Sequence, residues 1–112
     1  MRNQPSLNRR LVLESRMDTP DGMGGFAISW VPNGAHWAQV RVQSARESKI
    51  GERDTAKVNY RILVRSSAIG AASRPISAQR FREFERVFNI LAVAEYCDDG
   101  RFLECWTEEG RA

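Results

Sequence analysis

Hydrophobic and polar side chains alternate along most of this chain, with the period of two that marks half-buried strands. Leu11 and Leu13, with Met17 further on, alternate with Glu14, Arg16 and Asp18. Phe26, Ile28 and Trp30 alternate with Ala27, Ser29 and Val31, which places Trp30 on a core-facing side. Between the two runs, Thr19-Pro20-Asp21-Gly22 has turn chemistry, since Pro presets one dihedral and Gly accepts a positive φ. The pattern predicts a hairpin that ends at Pro32-Asn33-Gly34. Ala38, Val40 and Val42 against Gln39, Arg41 and Gln43 predict a third strand. Val58, Tyr60, Ile62 and Val64 against Asn59, Arg61, Leu63 and Arg65 predict a fourth.

Between the third and fourth strands the alternation fails. From Ser44 to Thr55 only Ile50 is large and apolar, so a long loop is expected over 44–57. Such a stretch inside a small domain is commonly functional. Ile69 to Pro75, rich in Gly, Ala and Ser, predicts another loop. The segment 78–92 reads two ways. Phe81, Phe84, Phe88 and Leu91 fall at helical spacing behind a capping Ser77, while Val, Ile and Phe crowd its second half as in a hairpin. Asp98-Asp99-Gly100 is a hairpin turn, and Arg101 to Thr107 forms the last strand, with Leu103 and Cys105 on one side. Short strands separated by turns point to a mainly β fold, a small barrel or sandwich.

Length and composition limit what such a fold can be. With 112 residues, 42% hydrophobic and 28% charged, the chain has room for one domain spanning 1–112, with 1–7 as a loose tail. A separate substrate domain does not fit. No apolar run approaches the ~20 residues of a membrane helix, and the polar Met1 to Ser6 lacks the apolar core of a signal peptide. A cytoplasmic protein without a membrane partner is expected, its Cys97 and Cys105 reduced. Of 17 basic residues, 15 are arginine. Arg41 to Arg86 carries eleven basic and five acidic residues, whereas Glu95 to Ala112 carries two and six. This basic middle and acidic end suit head-to-tail self-association or proximity to nucleic acid.

Little in the chain resembles catalytic machinery. His36 stands without a second histidine or acidic cluster at metal-ligand spacing, and Cys97 with Cys105 forms no Cys-x-x-Cys pair. Gly22-Met23-Gly24-Gly25-Phe26-Ala27 matches a dinucleotide-binding string, but that motif requires a helix behind it, and a strand follows here. Asp98-Asp99 and Glu108-Glu109 read as solubilising charge. No enzyme, metal or cofactor is expected. Trp37 and Trp106 flank strand ends, which suits an interface; stacking on bases is the other use of such aromatics.

Several of these pieces together resemble the phage head–tail joining family, also called head-closure or stopper proteins. Asn8-Arg9-Arg10-Leu11-Val12-Leu13-Glu14 is similar to its opening strand, and Asp21-Gly22-Met23-Gly24-Gly25-Phe26 to its glycine turn. Trp30 and Trp37-Ala38-Gln39-Val40 follow in the family's order, then Glu47, Tyr60 to Arg65, Phe88-Asn89-Ile90 and Leu103-Glu104-Cys105. The resemblance covers about residues 8–109 and extends to phage-like gene transfer agents. It implies a small antiparallel β-barrel with a long loop between the third and fourth strands, and a hairpin rather than a helix over 78–92. One departure is the turn Glu83-Phe84-Glu85-Arg86, where the family usually has Gly.

The function implied is structural. The chain would form a homo-oligomeric ring between a portal or adaptor protein and a tail terminator or tail-tube protein. Assembled in the bacterial cytoplasm, it would close the filled head in the finished particle and retain packaged DNA. Arg46, Lys49, Arg53 and Lys57 in the long loop would line the DNA channel or reach a neighbouring subunit. The alternative is a small nucleic-acid-binding β-barrel module.

Overall fold

In the computed structural model, residues 5–50, 53–96 and 100–110 are described, with side chains given outside 44–57. Six antiparallel strands, β1 (Arg9–Pro20), β2 (Phe26–Ile50), β3 (Arg53–Arg65), β4 (Arg80–Glu83), β5 (Arg86–Tyr96) and β6 (Phe102–Gly110), follow one another in sequence. They close in the order β1-β2-β3-β6-β5-β4, with β4 returning to β1. Closure leaves the wall without a free edge. The closed antiparallel barrel implied by the resemblance is the one observed.

The inward positions are those of the period-two pattern. Leu11, Leu13, Ala38, Ile62, Val64, Phe81, Phe88, Ile90, Leu103 and Cys105 make the core. Tyr60 meets Phe88 edge-on at 5.3 Å between ring centroids. Burial raises the Cys105 thiol to about 12, so it is an inert thiol that fills core volume. His36 packs edge-on against Phe81, and its partial burial favours the neutral ring. Over 78–92 the hairpin is present: Arg80 faces Asn89 and Glu83 faces Arg86. Its first turn residue, Phe84, has a φ of 53° and is solvent-exposed. The turn thus keeps the left-handed backbone that glycine ordinarily supplies.

Two expectations are corrected by the ladder. First, Pro32-Asn33-Gly34 does not end a strand. Val12 pairs with Ala35 and Glu14 with Pro32, so Asn33 and Gly34 together face Leu13 as a bulge. Gly34 takes a φ of 111°, and Asn33 donates its side-chain amide to Ser15 Oγ. The predicted second and third strands are therefore one strand of 25 residues. At ~3.3 Å per residue it would run to about 80 Å if straight. The molecule is 56 Å in its longest dimension, so β2 must bend. Bulges at Asn33-Gly34 and Gln43 supply bends.

Second, the segment expected as a long loop has a paired backbone. Ser44 to Ile50 runs against Arg53 to Asn59, rung by rung. Charged sequence can form such a ribbon because neither face has to be buried. These rungs lie beyond the wall, since β1 meets β2 only as far as Ala38 and β6 meets β3 only from Asn59 onward. At the other end of β2, Ser15 to Pro20 pairs with Phe26 to Val31, past the last β1–β4 rung at Glu14 and Arg80. Two arms therefore leave the barrel, one from each end of β2.

Candidate assembly surfaces

The arm formed by β1 and β2 is built on a glycine turn braced by one carboxylate. Asp21 Oδ1 accepts from the Met23 N–H at 2.7 Å and the Gly25 N–H at 3.1 Å. Gly22 and Gly24 sit at φ of 81° and 84°, and a side chain at Gly25 would meet Asp21 Oδ2 at 3.0 Å. The Asp-Gly-x-Gly-Gly string thus has a local physical cause. Along the arm, Phe26, Ile28 and Trp30 share a face, as the alternation predicts, but that face is not core. Phe26 is 69% exposed and Ile28 54%. Trp30 is half-buried because the Arg80 guanidinium lies 4.0 Å from its ring centre. Arg80 Nε also donates to Glu14 Oε1 at 2.6 Å, and both residues are buried. Gln79 donates to Ser15 Oγ beside them. The base of this arm is clamped to the wall.

The barrel rim beneath the second arm is held differently. Arg9 pairs with Glu83, and Arg86 donates to Glu109 at 2.9 Å and to the Tyr60 hydroxyl at 3.3 Å. The Arg9 and Arg86 guanidiniums hold Glu83 and Glu109 below the ordinary carboxylate range, while each arginine is raised in turn. All four side chains retain contact with water. In the arm itself, Arg46 pairs with Lys57 in the backbone ladder, and Lys49 and Arg53 lie nearer the tip. Their side chains lie outside those described.

Trp37 and Trp106 fall on one outer wall. Arg41, Arg61 and Trp106 occupy one row across β2, β3 and β6; Gln39, Leu63 and Glu104 occupy the next. Arg65 and Phe102 follow, and Leu7, Trp37 and Arg65 line a shallow hollow beside them. The Arg61 guanidinium lies 5.9 Å from the Trp106 ring and 3.8 Å from Glu104. Arg65 stands 5.9 Å from the Phe102 ring. A guanidinium held against an aromatic face keeps its edge available to carboxylate or phosphate. Trp37 is exposed and Trp106 half-buried. Both lie inside strands, Trp37 within β2 and Trp106 within β6, and not at the strand ends where the sequence pattern placed them, because β2 runs on through Pro32-Asn33-Gly34 and β6 extends to Gly110. The arginines between them were legible only as the outward half of the β3 alternation.

Comparison with known proteins agrees with this architecture. A family model described as "Phage head completion protein" matches residues 2–110. A chain in a solved structure described as "Virion of native gene transfer agent (GTA) particle" is 43% identical, with a TM-score of 0.83. The match covers 97% of this chain and all of that one. No curated protein matches. A match over nearly the whole length, on a barrel whose glycine turn has its cause in the backbone, makes this chain a member of the phage head completion protein family.

Proposed function

We propose that this protein is a non-enzymatic head-closure subunit, joining a DNA-filled head to a tail in a phage-like particle and retaining the packaged DNA. The observation that carries the reading is the family match over residues 2–110. A ring of copies would sit between a portal or adaptor protein on the head side and a tail terminator or tail-tube protein on the other. Packaged DNA is a dense polyanion, and rotational symmetry brings one arm from each copy toward the axis it must pass. The β2–β3 arm, with Arg46, Lys49, Arg53 and Lys57, is the one suited to that position by charge. Trp37 and Trp106 would serve contacts on the outer wall.

The direct test is deletion of the gene. Normal capsids and free tails that fail to join, with DNA lost from the heads, are expected by electron microscopy and nuclease protection. Abundant tailed, DNA-filled particles would overturn the reading. The arginine–aromatic wall favours a second reading, a nucleic-acid-binding barrel. Engaging four phosphates would give a log–log salt slope of roughly −3 to −4 with oligonucleotides. Weak, salt-insensitive binding would leave the connector reading.

A further inference from the structure

The β1–β2 arm carries apolar surface that nothing among the described residues covers. Phe26 and Ile28 project from one face, and Met23 at the tip is 90% exposed. Monomers seldom display such clusters unless they bind something. The arm is also prepared for docking. Its turn is braced by Asp21, and its base by Arg80, Trp30 and Glu14, so little freedom is lost on binding.

A groove with both apolar and polar lining lies at the same end of the barrel. In β5, Ile90 faces Thr107 and Ala92 faces Trp106, leaving Leu91 as the extra residue of a bulge. The bulge turns Leu91 outward, 56% exposed, beside the exposed Ile76. Together with Arg74, Pro75 and Val93 they line a groove of about 420 Å³. That volume lies in the range that receives a small organic ligand, ample for a large side chain.

The topology sets these two features for each other in different copies. In the closed order β1-β2-β3-β6-β5-β4, β2 and β5 are three strands apart, the greatest separation a six-stranded ring allows. Both features nevertheless belong to the same end of the barrel. Gln79 bonds to Ser15 at the arm's base and, through its carbonyl, to the Ile90 N–H next to the groove. The arm's other strand, β1, lies two strands from β5, with only β4 between. A donor and a different acceptor at one level of the wall are what a head-to-tail cyclic contact requires. Charge agrees: the arm from Ser15 to Val31 carries Arg16, Asp18 and Asp21, a net of −1, and the groove carries Arg74. Both turn bonds fall on Asp21 Oδ1, which leaves Oδ2 for a guanidinium.

We propose that neighbouring copies in the ring are joined by seating the Met23–Phe26–Ile28 surface of one in the Ile76–Leu91 groove of the next. The proposal rests on the ring reading above. A head or tail protein as the occupant would not account for an acceptor groove on this chain itself.

The test places the photo-cross-linker p-benzoylphenylalanine at Met23 in the full-length protein, within purified particles. Cross-links from position 23 to peptides containing Ile76 or Leu91 of a second copy are expected. Cross-links to a different particle protein, to another segment of this chain, or none at all in joined particles would overturn the proposal while leaving the connector role intact. Particles with joined tails that lack this protein would overturn both. A charge exchange gives an independent readout. Phe26→Asp and Leu91→Lys should each abolish joining while melting like wild type, and together should restore it by about tenfold or more over either alone. No restoration, with both variants folded, counts against the contact.

Discussion

The two arms leave the same strand, yet their bases are built on different electrostatics. Beneath the β1–β2 arm, Glu14 and Arg80 are both buried, and Trp30 covers the guanidinium. Beneath the β2–β3 arm, Arg9–Glu83 and Arg86–Glu109 stay in contact with water. A buried pair is unforgiving, because removing one partner strands the other charge away from solvent. A hydrated pair gives little and loses little. The first arm is thus clamped to the wall by a buried pair, while the second stands on a rim that tolerates change. A rigid apolar arm suits a permanent contact, and a charged arm on a tolerant rim suits a contact that rearranges.

Cutting the first base is the severest way to break this comparison. Arg80→Ala should cost about 3–5 kcal/mol in chemical denaturation, since it leaves Glu14 buried without its partner. Replacing both residues, Glu14→Leu with Arg80→Met, should recover most of that loss. Equal losses in the single and double variants would show that the pair is not the clamp. Next comes the turn. Gly24→Ala forces a side chain into a φ of 84° and should cost about 1–2 kcal/mol, chiefly as local loosening of the arm read by hydrogen exchange.

Acid should act on the second base. Glu83 and Glu109 have lowered folded-state pKa values, so their contribution is complete above the ordinary glutamate value of about 4.3 and fades as pH falls through the lowered ones. Thermal melts from pH 7 to pH 3 should show this acid loss, reduced in a Glu83→Gln, Glu109→Gln variant. An unchanged acid profile in that variant would assign the loss to other carboxylates. Phe84→Gly in the nearby β4–β5 turn should stabilise by up to about 1 kcal/mol, relieving the φ of 53° at some expense in unfolded-chain entropy. Smallest of all, Arg46→Ser, Lys49→Ser and Arg53→Ser combined should shift stability by about 0.5 kcal/mol or less. Particle completion should still fall, and normal DNA delivery by the triple variant would remove the second arm from the mechanism.

The strands were legible where alternation and burial coincide. Leu11 and Leu13, Ile62 and Val64, and Leu103 and Cys105 point inward as their spacing predicts. Alternation reports that a strand has an apolar face, but not what covers it, and for that reason Phe26 and Ile28 read as core. Pro32-Asn33-Gly34 read as a turn because the same residues suit a bulge, and only the β1 partner distinguishes the two. Over 78–92, Phe81 and Phe88 are buried while Phe84 is a turn residue whose position mimics helical spacing. The rim pairs join residues 74 and 23 positions apart in sequence, so no local signal marks them. The arginine rows on the outer wall were half visible: the outward positions of β3 were known, but their neighbours on β2 and β6 were not.

Because each arm pairs only with itself beyond the wall, its length is independent of the barrel's closure. Side chains alternate with a period of two, so adding one residue to each strand of an arm would turn its apolar face to the opposite side. Adding two to each strand would restore the face and extend the reach by roughly 6.6–6.8 Å. The span that such a subunit can bridge is therefore quantised. Related particles with wider or narrower junctions could keep an unchanged barrel and differ by whole pairs of rungs, with odd insertions selected against.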